Sequence, residues 1–239
     1  MAKTISVCIP TYNGALFIEE QLYSILSQLG PKDEIIISDD HSTDNTVQMI
    51  EDMKNPLIKI YFNEGVKGPV YNTENALKQA KGDFIFLADQ DDIWYPEKVS
   101  VLIPLLEKYD LVVSDASVID QVGKIIHPSF FIVNKSAPGF LQNWYRNSFL
   151  GCCMVFNRKV LNYVLPFPPK IAMHDIWIGL NAALVGKCHF LPEPLIHYRR
   201  HGKNASPGFE KSGFTVSYMI RYRIYMMYHV VLRRLNRSF

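Results

Sequence analysis

The segment "FLADQDDIW", residues 86–94, places three carboxylates, Asp89, Asp91 and Asp92, within four positions directly behind an apolar run, Phe84 to Ala88. Two carboxylates about 5 Å apart repel by roughly 3 kcal/mol at an effective dielectric near 20. A strand end tolerates that cost when a cation or a proton relieves it. Hard divalent ions with oxygen ligands, Mg²⁺ or Mn²⁺, suit such carboxylates when a substrate diphosphate is bound beside them. The plainer alternative is a solvated acidic loop capping the next helix. The apolar strand before the cluster and Trp94 just after it favour the metal–diphosphate reading.

Charge delivered to one point needs elements that deliver it. "ISVCIP" reads as a strand and "ALFIEEQLYSILSQL" as a helix, with Phe17, Leu22, Ile25, Leu26 and Leu29 at helical spacing. "EIIIS" is an apolar strand, and "STDNTVQMIEDM" a helix with its cap signal in Ser42 to Asp44. "LIKIYF" is a third strand, followed by "VYNTENALKQA", a helix stopped by Gly82. "FIFLA" is the fourth strand. "PEKVSVLIPLLEKY" is then a helix opened by Pro96, and "DLVVSD" a fifth strand. Unbroken apolar strands alternating with helices predict an α/β fold with a mostly parallel central sheet flanked by helices. In such a sheet ligands bind beyond the carboxyl ends of the strands. The polar clusters Thr11 to Asn13, Asp39 to Asp44 and Asp89 to Asp92 all fall at those ends.

The second half is less regular. Residues 121–150 read as loops and short elements, "GCCMVFN" as a strand, and "HDIWIGLNAALVG" as a helix stopped by Gly186. "LPEPLIHYRRHGKNAS" reads as a strand running into a polar loop. Neither the G-x-G-x-x-G of dinucleotide sites nor the G-x-x-x-x-G-K-[ST] of phosphate loops occurs. A sugar-phosphate nucleotidylyltransferase would want a glycine-rich basic loop after the first strand, and "PTYNG" is not one.

The 239 residues suit one domain with a modest appendage, and 48% hydrophobic residues suffice for a core. A formal charge of +2 argues against a nucleic-acid binder. The four cysteines lack metal-ligand spacing and read as reduced thiols of a cytoplasmic protein. No signal-peptide pattern appears, and no run approaches the roughly 18–20 apolar residues of a membrane span.

In order and spacing, "VCIPTYNG", "IISDDHSTDNT", "AKGDFIFLADQDDIW" and "HDIWI" resemble the family 2 glycosyltransferases of the GT-A fold, over residues 4 to about 205. "DQDDIW" with the later "YRRHGKN" looks most like the rhamnosyl- and related transferases that build bacterial surface polysaccharides such as O-antigen. The resemblance implies an inverting, metal-dependent transfer from a UDP- or dTDP-linked sugar to a glycan or lipid-linked acceptor. It implies that Pro10, Thr11 and Tyr12 line the base pocket, that Asp40 accepts from the base imide, and that Asn72 adds a nucleotide contact. Asp89, with Gln90 and Trp94 beside it, would contact the donor, and Asp91 would hold the metal. Asp39 reads as a turn cap. Asp175 of "HDIW" would be the catalytic base; it also reads as a helix N-cap, where the helix dipole would lower its pKa. His201 would be a second metal ligand, and Arg199, Arg200 or Lys203 would neutralise the departing diphosphate. Gly151, Cys152 and Trp177 read as the acceptor-side wall, with plain packing as the alternative.

From Phe214 to Phe239 there are five arginines and no acid. Ile220, Ile224, Met227, Tyr228, Val231 and Leu235 share one helical face, with Arg223, Arg233, Arg234 and Arg237 on the other and Arg221 out of place. The expected division is therefore a GT-A domain over 1–213 and a basic amphipathic helix over 214–239. Such a helix can lie on the inner face of the bacterial cytoplasmic membrane, or pack on the domain or a partner subunit with its arginines wet. A homo-oligomer is left open, and so are a nucleotidylyltransferase and a non-catalytic nucleotide-sugar-binding protein.

Overall fold

The computed structural model describes residues 3–202, 204 and 215–236. Its first half alternates as the periodicity predicts: β1 (Ile5–Thr11), α1 (Ile18–Leu26), β2 (Glu34–Asp39), α2 (Thr46–Asp52), β3 (Ile58–Phe62), α3 (Pro69–Gln79) and β4 (Phe84–Leu87). Every residue of β2 and β4, and all of β1 but Pro10, is buried, because helices cover both faces of the sheet. Fully burying an isoleucine is worth about 1.5–3 kcal/mol, and Ile35, Ile36 and Ile37 are all fully buried.

The second half contains β5 (Ile93–Trp94), α4 (Lys98–Leu106), β6 (Leu111–Ile119), β7 (Ile125–His127), α5 (Phe130–Asn134) and α6 (Phe140–Tyr145). After these come β8 (Met154–Asn157), α7 (Leu161–Val164), α8 (His174–Val185), β9 (Cys188–Arg199) and α9 (Val216–Leu235). Among the described residues one nine-stranded sheet runs β3-β2-β1-β4-β8-β6-β9-β5, with β7 on β6. The block from β3 to β4 is parallel, and so is the β6–β9 pair. β8 lies antiparallel between β4 and β6, so the fourth and fifth strong strands of the sequence are not neighbours. Two-residue β5 pairs antiparallel with β9 and carries the acidic loop onto the end of that strand.

Gly82 is not the helix stop; α3 already ends at Gln79 with Ala80 as its cap. A Cβ on Gly82 would lie 2.5 Å from the Ser6 nitrogen, so the glycine allows two backbones to touch. Gly82→Ala is expected to cost about 1–3 kcal/mol of stability, read as a lower urea midpoint at an unchanged slope.

The tail helix meets the domain with two of its arginines rather than with its apolar stripe. Met226 and Val230 are fully buried against the domain, and the Trp144 indole donates to the Arg223 carbonyl at 2.9 Å. Arg223 donates to the Tyr145 carbonyl at 2.6 Å and Arg233 to the Leu165 carbonyl at 2.6 Å. These two arginines hold α9 to the domain, while Ile220, Ile224, Tyr228, Val231 and Leu235 are exposed. The expected boundary at 213/214 and Arg237 lie outside the described residues.

Candidate active site

The ends of β1 and β2 build the first wall. The Thr11 hydroxyl donates to Asp39 at 2.7 Å, and Asp39 also accepts from the Ser42 amide at 2.6 Å and its hydroxyl at 2.7 Å, the turn-capping role expected of it. Pro10, paired with Ser38 on β2, is partly exposed and Thr11 is buried, whereas Tyr12 is 52% exposed and free to meet a flat ligand. Gln90 holds the Tyr12 backbone from both sides. Its Oε1 accepts from the Tyr12 amide at 2.8 Å and its Nε2 donates to the Tyr12 carbonyl at 3.1 Å. A Cβ on Gly14 would lie 2.5 Å from Gln90 Oε1, so the glycine leaves room for that side chain to clasp Tyr12. Asp40 accepts from Asn63 Nδ2 at 2.9 Å and from the Gly68 amide at 2.6 Å, leaving each oxygen a further lone pair. Asn72 corrects its expected role: it is buried, accepts from the Ser38 hydroxyl at 2.6 Å and donates to the Thr11 carbonyl at 3.0 Å. It ties β1 to β2 and presents no face to a nucleotide.

The acidic loop meets the end of β9. Asp91 Oδ2 and His201 Nε2 lie 2.7 Å apart, and Asn204 Nδ2 donates to the same oxygen at 3.1 Å. Asp92 accepts from the Arg199 amide at 2.9 Å through Oδ1, while its buried Oδ2 has no partner among the described residues. Arg199 is spent internally. It donates to the carbonyls of Asp91 at 2.8 Å and Gln121 at 3.0 Å, and to Glu20 at 2.6 Å, with its guanidinium over the Phe17 ring. Reading it as a diphosphate ligand is therefore corrected: it fastens the acidic loop to β9. Arg199→Ala is expected to cost about 1–3 kcal/mol, because the Asp91 carbonyl in the buried acidic loop loses its donor. Equilibrium denaturation checks this, and unchanged stability would return the side chain to solvent and ligand. Arg200, next in the chain, is partly exposed and donates to the Tyr198 hydroxyl at 3.1 Å. Lys203 lies outside the described residues.

Beneath the loop sits a lysine that sequence spacing passes over. Lys98 is buried at the start of α4, donating to the Cys152 carbonyl at 2.9 Å with its ammonium 4.4 Å from the Trp94 ring centroid. Its position one turn before Leu102 and two before Leu106, on the buried face, was the available signal. Trp94 is buried against Phe86 and its indole nitrogen has no partner among the described residues, so its expected substrate contact is corrected to packing under the site. Gly151 is likewise corrected. It is buried, and a Cβ there would lie 2.9 Å from His174 Nε2, so it makes room for that ring. Burial holds His174 neutral, with a pKa lowered to about 4.

Asp175 is in the first turn of α8 but is not its N-cap, which is Met173. Its Oδ1 accepts from the Ile176 amide at 2.6 Å and its Oδ2 from Asn147 at 3.4 Å. Burial outweighs those hydrogen bonds and raises its pKa to about 6, the reverse of the lowering expected at a helix start. The hydroxyl of Tyr222, from α9, is buried without a hydrogen-bond partner among the described residues. Burial and then the charge of Asp175 raise its pKa. Trp177 is not an acceptor wall: it is fully buried and donates its indole N–H to the Val164 carbonyl at 2.9 Å.

These charges sense one another. Burial first, then Asp91 and Asp175, raise the pKa of Asp89 to about 7. Burial, Asp91 and Asp89 push Asp92 well above the usual carboxylate range. Burial also raises Asp91, against the lowering effect of His201. A carboxylate and an imidazole that already converge at 2.7 Å, in a pocket crowded with negative charge, fit a Mn²⁺ or Mg²⁺ ion chemically. Asp89, Asp92 and the Cys152 thiol form a second convergent group, with ligand atoms within 4.8 Å of one another. Asn204, Asn147 and Tyr222, unassigned by motif, complete the surroundings of Asp91 and Asp175.

Residues 6–165 match the model of glycosyl transferase family 2. The chain is 29% identical over 187 residues to WfgD of Escherichia coli, a UDP-Glc:alpha-D-GlcNAc-diphosphoundecaprenol beta-1,3-glucosyltransferase; the match covers 74% of this chain and 68% of that one. In structure it is similar to residues 1–349 of Staphylococcus aureus TarS in complex with UDP-GlcNAc, with a TM-score of 0.72 at 21% identity over 100% of this chain and 68% of that one. It is also similar to the mannosyltransferase PcManGT of Pyrobaculum calidifontis in complex with GDP-Man and Mn²⁺, with a TM-score of 0.61 at 19% identity over 100% of this chain and 66% of that one. The chain thus spans about two thirds of the length of each.

Proposed function

The chain belongs to glycosyl transferase family 2 and has the GT-A fold, and from that premise we propose that it transfers a hexose, with inversion, from a UDP-linked donor to a lipid-linked glycan. The observation that carries the reading is the convergence of Asp91 Oδ2 and His201 Nε2 at 2.7 Å, in the acidic loop that Gln90 ties to Tyr12. A dTDP-sugar such as dTDP-L-rhamnose is the second donor. The relatives named for UDP-Glc and UDP-GlcNAc favour UDP. Such a reaction serves surface polysaccharide assembly, O-antigen included, at the cytoplasmic face of the membrane.

In this reading Tyr12 packs against the uracil and Asp40 accepts from its imide N–H. Asp89 contacts the ribose, and Gln90 keeps Tyr12 in place. Asp91 and His201 would hold a Mn²⁺ or Mg²⁺ ion, which would neutralise diphosphate charge when bound. Arg200 is the remaining described arginine near the departing diphosphate. Asp175 accepts the proton of the acceptor hydroxyl as its oxygen bonds to the anomeric carbon. The bond from that carbon to the diphosphate oxygen breaks, and the electron pair leaves with the nucleoside diphosphate. A pKa of about 6 suits a base working near neutral pH better than an ordinary carboxylate does.

Calorimetric titration with UDP, dTDP, GDP and ADP, each with and without Mn²⁺, tests the donor site. Metal-dependent binding of UDP, or of dTDP, supports it and selects the donor class. Purine preference, or indifference to metal, overturns the roles of Asp40 or Asp91.

A further inference from the structure

We propose that α9 docks the protein on an anionic lipid surface, lying in the plane of the interface with its outward apolar stripe inserted. The proposal stands on the helix itself and would survive a different reading of the donor site.

The first support is the direction of the stripe. Ile220, Ile224, Tyr228, Val231 and Leu235 recur at helical spacing on the side of α9 turned away from the domain, with Ile224 61% exposed. The domain does not need that stripe, because Met226, Val230, Arg223 and Arg233 already make the attachment. A continuous apolar row left facing water on a soluble surface marks an interaction site.

The second support is charge. Among its twenty residues α9 has four arginines and no acid. On the helical wheel Arg221 and Arg234 flank the stripe on either side, where long cationic side chains reach phosphate while their stems cover apolar surface. A second copy seated on the stripe would bring its own arginines against these, with no carboxylate on either helix to meet them. Anionic headgroups supply the missing charge. Tyr145, beneath the Arg223 guanidinium, and Leu141, one turn away on α6, are each 70% exposed. Tyrosine suits the boundary between headgroup and acyl chain. No described helix is long and apolar enough to cross a membrane, so an in-plane helix is the geometry left for this face.

Co-sedimentation of the full chain with vesicles tests this, comparing phosphatidylglycerol/phosphatidylethanolamine with phosphatidylcholine alone. Wild type should partition to the anionic vesicles and release at high salt. Ile224→Asp should lower that partitioning by about tenfold or more, the loss of one inserted isoleucine. Arg221→Glu should weaken it on anionic vesicles only. Both positions are exposed, so melting temperature and UDP binding should be unchanged in both variants, which separates failure of docking from failure of the donor site. Wild-type binding that ignores lipid charge, or that Ile224→Asp leaves intact, overturns the proposal. A concentration-dependent dimer abolished by Ile224→Asp, with no vesicle binding, overturns it too and assigns the stripe to a second copy.

Discussion

Asp175→Asn should abolish transfer, by a factor of about 10³ or more, and at the same time raise the melting temperature at neutral pH. Removing a general base costs roughly 10²–10⁴ in rate, and an amide cannot take the acceptor proton. Donor binding should persist, because the contacts proposed for the nucleotide lie on β1, β2 and the acidic loop. Stability moves the other way for a stated reason. Burial raises the pKa of this carboxyl in the folded chain from 3.8 to about 6. The fold therefore favours its protonated form, and the stability this form contributes is complete below about pH 4 and lost as pH rises through about 6. Two pKa units correspond to about 3 kcal/mol by pH 7.5, which an asparagine would recover. For a chain of this size that is a rise of roughly 5 °C or more. Melting curves of the two proteins should converge near pH 4 and separate above pH 6. The wild-type transfer rate should climb over the same interval. Undiminished activity would remove Asp175 from the base role, and coincident melting at all pH values would mean that its carboxylate is hydrated in solution.

Asp91→Asn should remove the metal dependence of nucleotide binding. The amide preserves shape and can still hydrogen-bond His201 and Asn204, so the β5–β9 junction should fold as before. What disappears is the formal charge that Asp91 brings beside the His201 imidazole. Loss of an anionic ligand to a divalent ion costs several kcal/mol, so UDP affinity in Mn²⁺ should fall by about a hundredfold or more, to its metal-free value. Titration with UDP at fixed Mn²⁺ measures this. If metal-dependent binding survives, the ion is held instead by Asp89, Asp92 and Cys152, the other convergent group.

The first half of the fold is legible because β1, β2 and β4 are buried on both faces and the helices between them show apolar stripes, so local pattern and tertiary position agree; β3, at the edge, is only partly covered. The clustering of Tyr12, Asp40 and Asp89 to Asp92 at one sheet edge follows from topology alone. What the sequence conceals is pairing at long range. β5 is two residues long, too short for any period, yet it is what brings Asp91 to His201. Side-chain direction is concealed as well. Arg199, Trp94 and Trp177 stand beside reactive residues in the sequence and point inward in the structure. For Trp177 the warning is present: α8 is apolar nearly all round, the mark of a buried helix, which leaves no wall to offer. For Asp175 proximity to a helix start suggests the wrong sign of shift, because the dipole effect is smaller than the penalty for burial. The tail misleads similarly. A helical wheel separates apolar from basic residues but does not say which side faces the domain, and the arginines find backbone carbonyls there.

The two faces of α9 have a geometric consequence. The inner face brings Tyr222 close enough for Asp175 to act on it, while the outer face carries the stripe proposed to enter the lipid surface. If the stripe enters lipid as proposed, the thickness of one helix would separate Asp175 from the headgroups, a height of about 10–12 Å. On that proposal the height would act as a ruler: an acceptor anchored in the bilayer would present its hydroxyl to Asp175 only when its phosphates and sugars stack to about that length. Chains one unit too short would stop below the base, and longer ones would overshoot it, so the enzyme would add its sugar at one stage of assembly without recognising every residue beneath.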